Sequence, residues 1–109
     1  MRKIENVKFD HVALKSSNIA ESIDWYSNMF DCKVLYQDET WGLVEVSDLR
    51  IAFVIPSQHP PHVCFDIGDA SHDLNEEKFK KHRDGSSSIY VRDPDGNFIE
   101  FLKWGKQND

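Results

Sequence analysis

Three side chains in this sequence have types and surroundings that suit chemistry. His11 stands in Phe9-Asp-His-Val-Ala-Leu14, His62 in Pro60-Pro-His-Val-Cys-Phe65, and Glu100 in Phe98-Ile-Glu-Phe-Leu102. Each polar residue interrupts an apolar run. Burying a charge such as that of Glu100 is costly unless a partner or a metal compensates it. Two imidazoles and one carboxylate form an N₂O ligand set that suits Fe(II), Mn(II), Zn(II), Ni(II) or Co(II). A metal held this way keeps open positions and acts as a Lewis acid on substrate oxygens. His11 alone, without a repeat, reads better as a hydrogen-bonded core histidine. The metal reading needs elements that bring all three together.

The alternation of residue types supplies such elements. Residues 7–15 read as a strand with period two, placing Phe9, His11 and Ala13 on one face and Val12 and Leu14 on the other. Asn18 with Glu21 forms a variant capping box. Ile19, Ile23, Tyr26 and Phe30 follow at helical spacing, so 19–30 is an amphipathic helix, its apolar face widened by Trp25 and Met29. Three short strands come next, at 33–37, 41–47 and 49–55, the last two joined by a tight turn at Ser47-Asp48 that lacks the preferred glycine. Pro56, Pro60 and Pro61 mark a connector.

The pattern then begins again. His62-Val-Cys-Phe65 repeats His11-Val-Ala-Leu14. A helix is expected from about Ala70 to His82, with a vestigial strand near His82 to Gly85. A polar connector spans Arg83 to Ser88, and Ile89–Arg92 and Phe98–Trp104 are strands joined by the turn Asp93-Pro-Asp-Gly-Asn97. The halves align as β-α-β-β-β twice, module 1 over 1–56 and module 2 over 60–105, within one domain. In this alignment His11 matches His62, and Glu100 matches Ala52. A loop at 93–97 pairs Tyr90 with Glu100, Ser88 with Leu102 and Arg92 with Phe98. A two-residue turn at 47–48 pairs Leu43 with Ala52 and Glu45 with Arg50. Both hairpins then show one apolar face, as a helix-covered sheet should, and one mixed face. His11, His62 and Glu100 fall on the mixed faces. Glu45 and Tyr90 are the catalytic acid–base candidates there. Arg50 and Arg92 could pair with substrate carboxylates, and Trp41, Phe9 and Trp104 could wall a pocket. The plainer readings are that Glu45 pairs with Arg50 across strands, that Arg92 anchors the acidic turn, and that Cys64 is a small lining residue.

The paired modules, the first-strand histidines and Arg92-Asp-Pro-Asp-Gly-Asn-Phe-Ile-Glu100-Phe together resemble the vicinal oxygen chelate superfamily. It includes glyoxalase I, bleomycin- and fosfomycin-resistance proteins, methylmalonyl-CoA epimerase and extradiol dioxygenases. The resemblance implies an α+β fold in which two βαβββ modules form a glyoxalase-like open, cup-shaped half-barrel. It places one divalent metal in the cup, on the positions of His11, Ala52, His62 and Glu100. Three of these can ligate. That departs from the four protein ligands of glyoxalase I and agrees with the two-histidine, one-carboxylate sets of extradiol dioxygenases and fosfomycin-resistance enzymes. The latter continue into a basic C-terminal segment, whereas only Gly105-Lys-Gln-Asn-Asp109 follows here. Extradiol dioxygenases are typically longer, with extra modules. The resemblance further implies a homodimer and a small oxygenated substrate chelated through two oxygens, in a lyase, isomerase or dioxygenase reaction. The alternatives are a non-catalytic binding protein of the bleomycin-resistance type and a metal-free pocket.

Composition narrows the partners. The chain has 109 residues and a formal charge of −6, with no Lys/Arg stripe to neutralise phosphates, so no nucleic-acid partner is expected. The cluster Lys78, Lys80, Lys81, His82, Arg83 adjoins Glu76 and Glu77 and reads as a solvated helix face. His59, His72 and His82 are expected to be exposed. No apolar run approaches the ~20 residues of a membrane span, and the N-terminus lacks a signal-peptide core. Cys32 and Cys64 are too few for a disulfide framework. A cytoplasmic protein without a membrane partner is expected.

Overall fold

The computed structural model describes residues 3–68, 78–82 and 85–104. The chain divides into two compact units, His11–Val63 and Met1–Asp10 with Cys64–Asp109. The fold class is α+β.

In the unit His11–Val63, the end of strand β1 (Lys8–Lys15) leads into helix α1 (Ile19–Met29), followed by β2 (Cys32–Gln37), β3 (Trp41–Val46) and β4 (Leu49–Val54). The strands lie in the order β2-β3-β4-β1. β1 runs parallel to β4, with Ala13 opposite Ala52. Leu43 lies opposite Ala52 and Glu45 opposite Arg50, the register expected from the alternation. The helix starts where its cap dictates: the Asn18 side chain accepts from the Glu21 N–H at 3.1 Å. This satisfies one of the donors that a helix start leaves unpaired. Ile19 and Ile23 pack from α1 onto Val44, Ile51 and Phe53. Burying side chains of this size contributes about 1.5–3 kcal/mol each. Trp25 and Met29 do not join that core. They are 55% and 58% exposed, because at helical spacing they lie beside the stripe set by Ile19 and Ile23. β2 carries a bulge between Val34 and Tyr36. Ser47, first residue of the β3–β4 turn, has φ +55°.

The other unit contains the end of β5 (His62–Asp66), β6 (Lys80–Lys81), β7 (Ser86–Arg92) and β8 (Phe98–Trp104), in the order β5-β8-β7-β6. β7 and β8 pair as expected: Tyr90 with Glu100, Ser88 with Leu102, and Arg92 with Phe98. Asp93 closes their turn. Its carboxylate accepts from the N–H groups of Asp95 and Asn97 at 3.0 and 2.8 Å, and from the Asn97 amide at 2.9 Å. These bonds hold the Asp93 carboxyl below the usual carboxylate range.

Two boundaries differ from expectation. Most of the helix expected over 70–82, with His72, Glu76 and Glu77, lies outside the described residues, but its end is not helical. Lys80 and Lys81 form the strand β6 against Ser88 and Ser87. The second strand of the repeat is therefore present, a little earlier than His82. Ser86–Ser88, expected as connector, begin β7. Their backbones pair with Leu102, Lys103 and Trp104, and small hydroxyl side chains fit the buried positions they occupy. Ladder pairing here outweighs polar composition. Lys81, His59 and His82 are exposed.

Candidate metal centre and its supporting residues

Within His11–Val63, the two histidines meet. His11 Nε2 lies 3.2 Å from His62 Nε2, and the rings are inclined at 76° with centroids 5.3 Å apart. His62 is buried and His11 half-buried. The orientation of His62 has a local cause. Its Nδ1 lies 2.8 Å from the Pro60 carbonyl oxygen. A carbonyl can only accept, so Nδ1–H donates and Nε2 keeps the lone pair in the neutral ring. The fixed φ of Pro60 and Pro61 makes this carbonyl a rigid acceptor. An N–H donated to a backbone carbonyl is the usual outer contact of a metal-binding imidazole.

The spacing fits a metal as well. Two nitrogens each about 2.0–2.1 Å from one ion, at tetrahedral or octahedral angles, lie about 2.8–3.4 Å apart. The observed 3.2 Å falls in that range. The donor types also fit a borderline divalent ion.

In the second unit, Glu100 is 8% exposed on β8. Tyr90 stands opposite it on β7, and Cys64, on β5, is fully buried. Burial pushes the Cys64 thiol well up from its ordinary range, and the neighbouring Glu100 carboxylate adds to the effect, partly through a hydrogen bond. Burial likewise raises the Tyr90 phenol, with Glu100 the second cause. Both groups are therefore protonated at neutral pH and can act only as donors toward a carboxylate.

The remaining candidates occupy separate places. Glu45 and Arg50 face each other across β3 and β4, both half-buried. Trp41 stacks on Tyr36, with centroids 4.3 Å apart. Tyr36 in turn donates to Asp38. Arg92 lies over the Phe98 ring at 4.6 Å, and the bonds that close the acidic turn come from Asp93 instead. Phe9 meets Phe65 edge-on, and Trp104 is half exposed. Two supporting groups were not singled out from sequence. The Pro60 carbonyl was signalled only by the Pro-Pro pair before His62. Tyr36 carried no signal beyond its place in an edge strand.

The mixed α+β architecture agrees with the family to which the sequence belongs. Residues 8–101 match the model of the Glyoxalase/Bleomycin resistance protein/Dioxygenase superfamily. The chain belongs to this superfamily. It is 26% identical over 112 aligned positions to the metallothiol transferase FosB of Lysinibacillus sphaericus (strain C3-41), covering 84% of this chain and 79% of that protein. Its fold is similar to that of the hypothetical protein BH1468 from Bacillus halodurans C-125, with a TM-score of 0.73 at 11% identity over 96% of this chain and 99% of the other. It is also similar to that of methylmalonyl-CoA epimerase from Mycobacterium tuberculosis, with a TM-score of 0.67 at 14% identity, covering 90% and 88% of the two chains.

Proposed function

We propose that this chain is a metal-dependent enzyme that acts on a small oxygenated molecule, with His11, His62 and Glu100 holding one divalent ion. The observation that carries this reading is the 3.2 Å approach of two Nε2 atoms, one of which carries the lone pair of its neutral ring because its Nδ1–H is donated to the Pro60 carbonyl. A buried carboxylate on β8 is the third donor. One carboxylate leaves a divalent site with a net charge of about +1, which favours an anionic, oxygen-rich ligand. When bound, the ion supplies a Lewis acid for two oxygens of the substrate.

The protein's own groups divide the remaining work. The protonated Tyr90 phenol is a hydrogen-bond donor to an oxygen that gains charge. Glu45 is the candidate base, reaching a proton directly or through one water. Arg50 supplies a fixed positive charge beside it. The reaction class is a lyase, isomerase or dioxygenase type. The similarity to a metallothiol transferase favours one further class, transfer of a thiol to a small electrophile.

Elemental analysis of protein purified without chelators tests the reading. About one metal per chain in the wild type, lost in His62→Ala, is the expected result. No bound metal after growth with Mn, Fe, Co, Ni and Zn would refute it. Oxygen uptake, hemithioacetal isomerisation and thiol consumption then separate the reaction classes.

A further inference from the structure

The two units use the same ladder with different contents. In the first, the Ser16 N–H donates to the Val54 carbonyl at 2.8 Å; in the second, the Ile67 N–H donates to the Leu102 carbonyl at 2.9 Å. Ser16 to Ile67 is a step of 51 residues, and Val54 to Leu102 a step of 48. The same steps carry Ala13 to Cys64 and Ala52 to Glu100. Ala13 lies directly opposite Ala52, so Cys64 lies opposite Glu100. Leu43 flanks Ala52 on its other side, as Tyr90 flanks Glu100.

The rows therefore read Ala13–Ala52–Leu43 in one unit and Cys64–Glu100–Tyr90 in the other. Where the centre is apolar, both flanks are apolar. Where the centre is a carboxylate, both flanks carry a hydrogen on sulfur or oxygen. We propose that Cys64 is a positioning residue whose buried thiol donates to Glu100 and fixes which carboxylate oxygen is presented to the metal. The inference rests on the metal reading for its purpose but not for the hydrogen bond itself. Cys64 is completely buried, so water does not compete for its proton. A thiol is a weak donor, but an ionised acceptor strengthens the bond. Held by this bond, the carboxylate loses rotational freedom before any ion arrives.

Two measurements test this. The first needs no metal. In the Cys32→Ser protein, the only S–H infrared stretch belongs to Cys64. It should lie at lower frequency than that of a thiol without an acceptor, and return upward in Cys32→Ser/Glu100→Ala. A band that does not move overturns the inference. The second is Co(II) titration of the full chain, followed by its visible spectrum. Cys64→Ala should weaken binding about 10–100-fold, the usual effect of losing an outer partner of a ligand. Cys64→Ser, which keeps a donor, should restore most of it. Equal loss in both variants, or none in either, overturns the proposal. If the wild type binds no Co(II), the metal reading falls, and the infrared result alone decides whether Cys64 holds Glu100.

Discussion

Helix α1 lies directly on Gly42, and this contact makes a quantitative prediction. A Cβ placed on Gly42 would sit 2.7 Å from Ile23 Cδ1 and 2.9 Å from Ile19 Cγ2. Both distances are too short for carbon atoms. The two obstructions differ in kind. Ile23 Cδ1 is the end of a side chain and can turn away about χ2, at about 0.5–1.5 kcal/mol if it leaves its rotamer. Ile19 Cγ2 branches from Cβ, and a helix holds that χ1 in one well. Gly42→Ala must therefore push the start of α1 off the sheet, away from Val44 and Phe53, which are almost fully buried. Overpacking of this sort costs about 1–3 kcal/mol. The lost flexibility of the unfolded chain returns about 0.4–1 kcal/mol. A net loss of about 1–2 kcal/mol is expected. At ~4–8 °C per kcal/mol for a chain near this size, Tm falls by roughly 4–16 °C.

Urea unfolding of a double-mutant cycle checks the cause. Ile19→Leu moves the branch point outward and clears the space above residue 42. It should couple to Gly42→Ala by at least about 0.5 kcal/mol, beyond the additivity expected of independent sites. Ile23→Val, which deletes the atom that can move by itself, should couple less. A neutral Gly42→Ala, or a stronger rescue by Ile23→Val than by Ile19→Leu, would show that α1 does not rest on Gly42 through Ile19.

Other expectations are shorter to state. Ser47 opens a two-residue hairpin turn with φ +55°, a position that favours glycine. Ser47→Gly should stabilise the protein by about 0.5–1 kcal/mol in the same urea assay, the relief of a left-handed residue less the flexibility added to the unfolded chain. The Asp93 carboxyl is depressed by the Asn97 side chain and by the N–H groups of the turn. A depressed carboxyl contributes stability above its unfolded pKa, and this is lost as pH falls through the folded value. The acid limb of a Tm-against-pH profile should therefore be shallower in Asp93→Ala, with Tm lowered near neutral pH. Under the metal reading, saturating Co(II) or Zn(II) raises the wild-type Tm, since an ion at 100 times its Kd adds about 2.7 kcal/mol. It leaves His62→Ala unmoved. A shift of equal size in that variant would place the ion elsewhere.

How far the site could be read from sequence depended on how each residue announces its place. Strict alternation fixed the faces of β3, β4, β7 and β8, so the pairings Leu43–Ala52 and Tyr90–Glu100 were legible. A slip of one residue would have turned every side chain over. The histidines were legible through their repetition, and the structure adds what repetition could not, the Pro60 carbonyl that sets the His62 tautomer. Residues 80–88 were less legible. Lysines and serines advertise solvent or a loop, yet β6 and β7 form there through backbone pairing that their side chains do not reveal.

Cys64 is the instructive case. By type it is a small apolar residue, and its counterpart Ala13 supports that reading. Its distinctive feature is relational, because it occurs opposite the buried carboxylate while alanine occurs opposite alanine. Single-residue propensities cannot register such a match, but a repeat can, since one copy serves as the control for the other. The vacancy at Ala52 then acquires a second meaning. Under the metal reading it marks a missing ligand, and with Ala13 and Leu43 beside it it marks the absence of the donors that a carboxylate there would need. Restoring a glutamate at 52 alone would bury a charge between apolar neighbours, which is costly without a partner. A fourth ligand in this chain would therefore require a donor at position 13 or 43 as well.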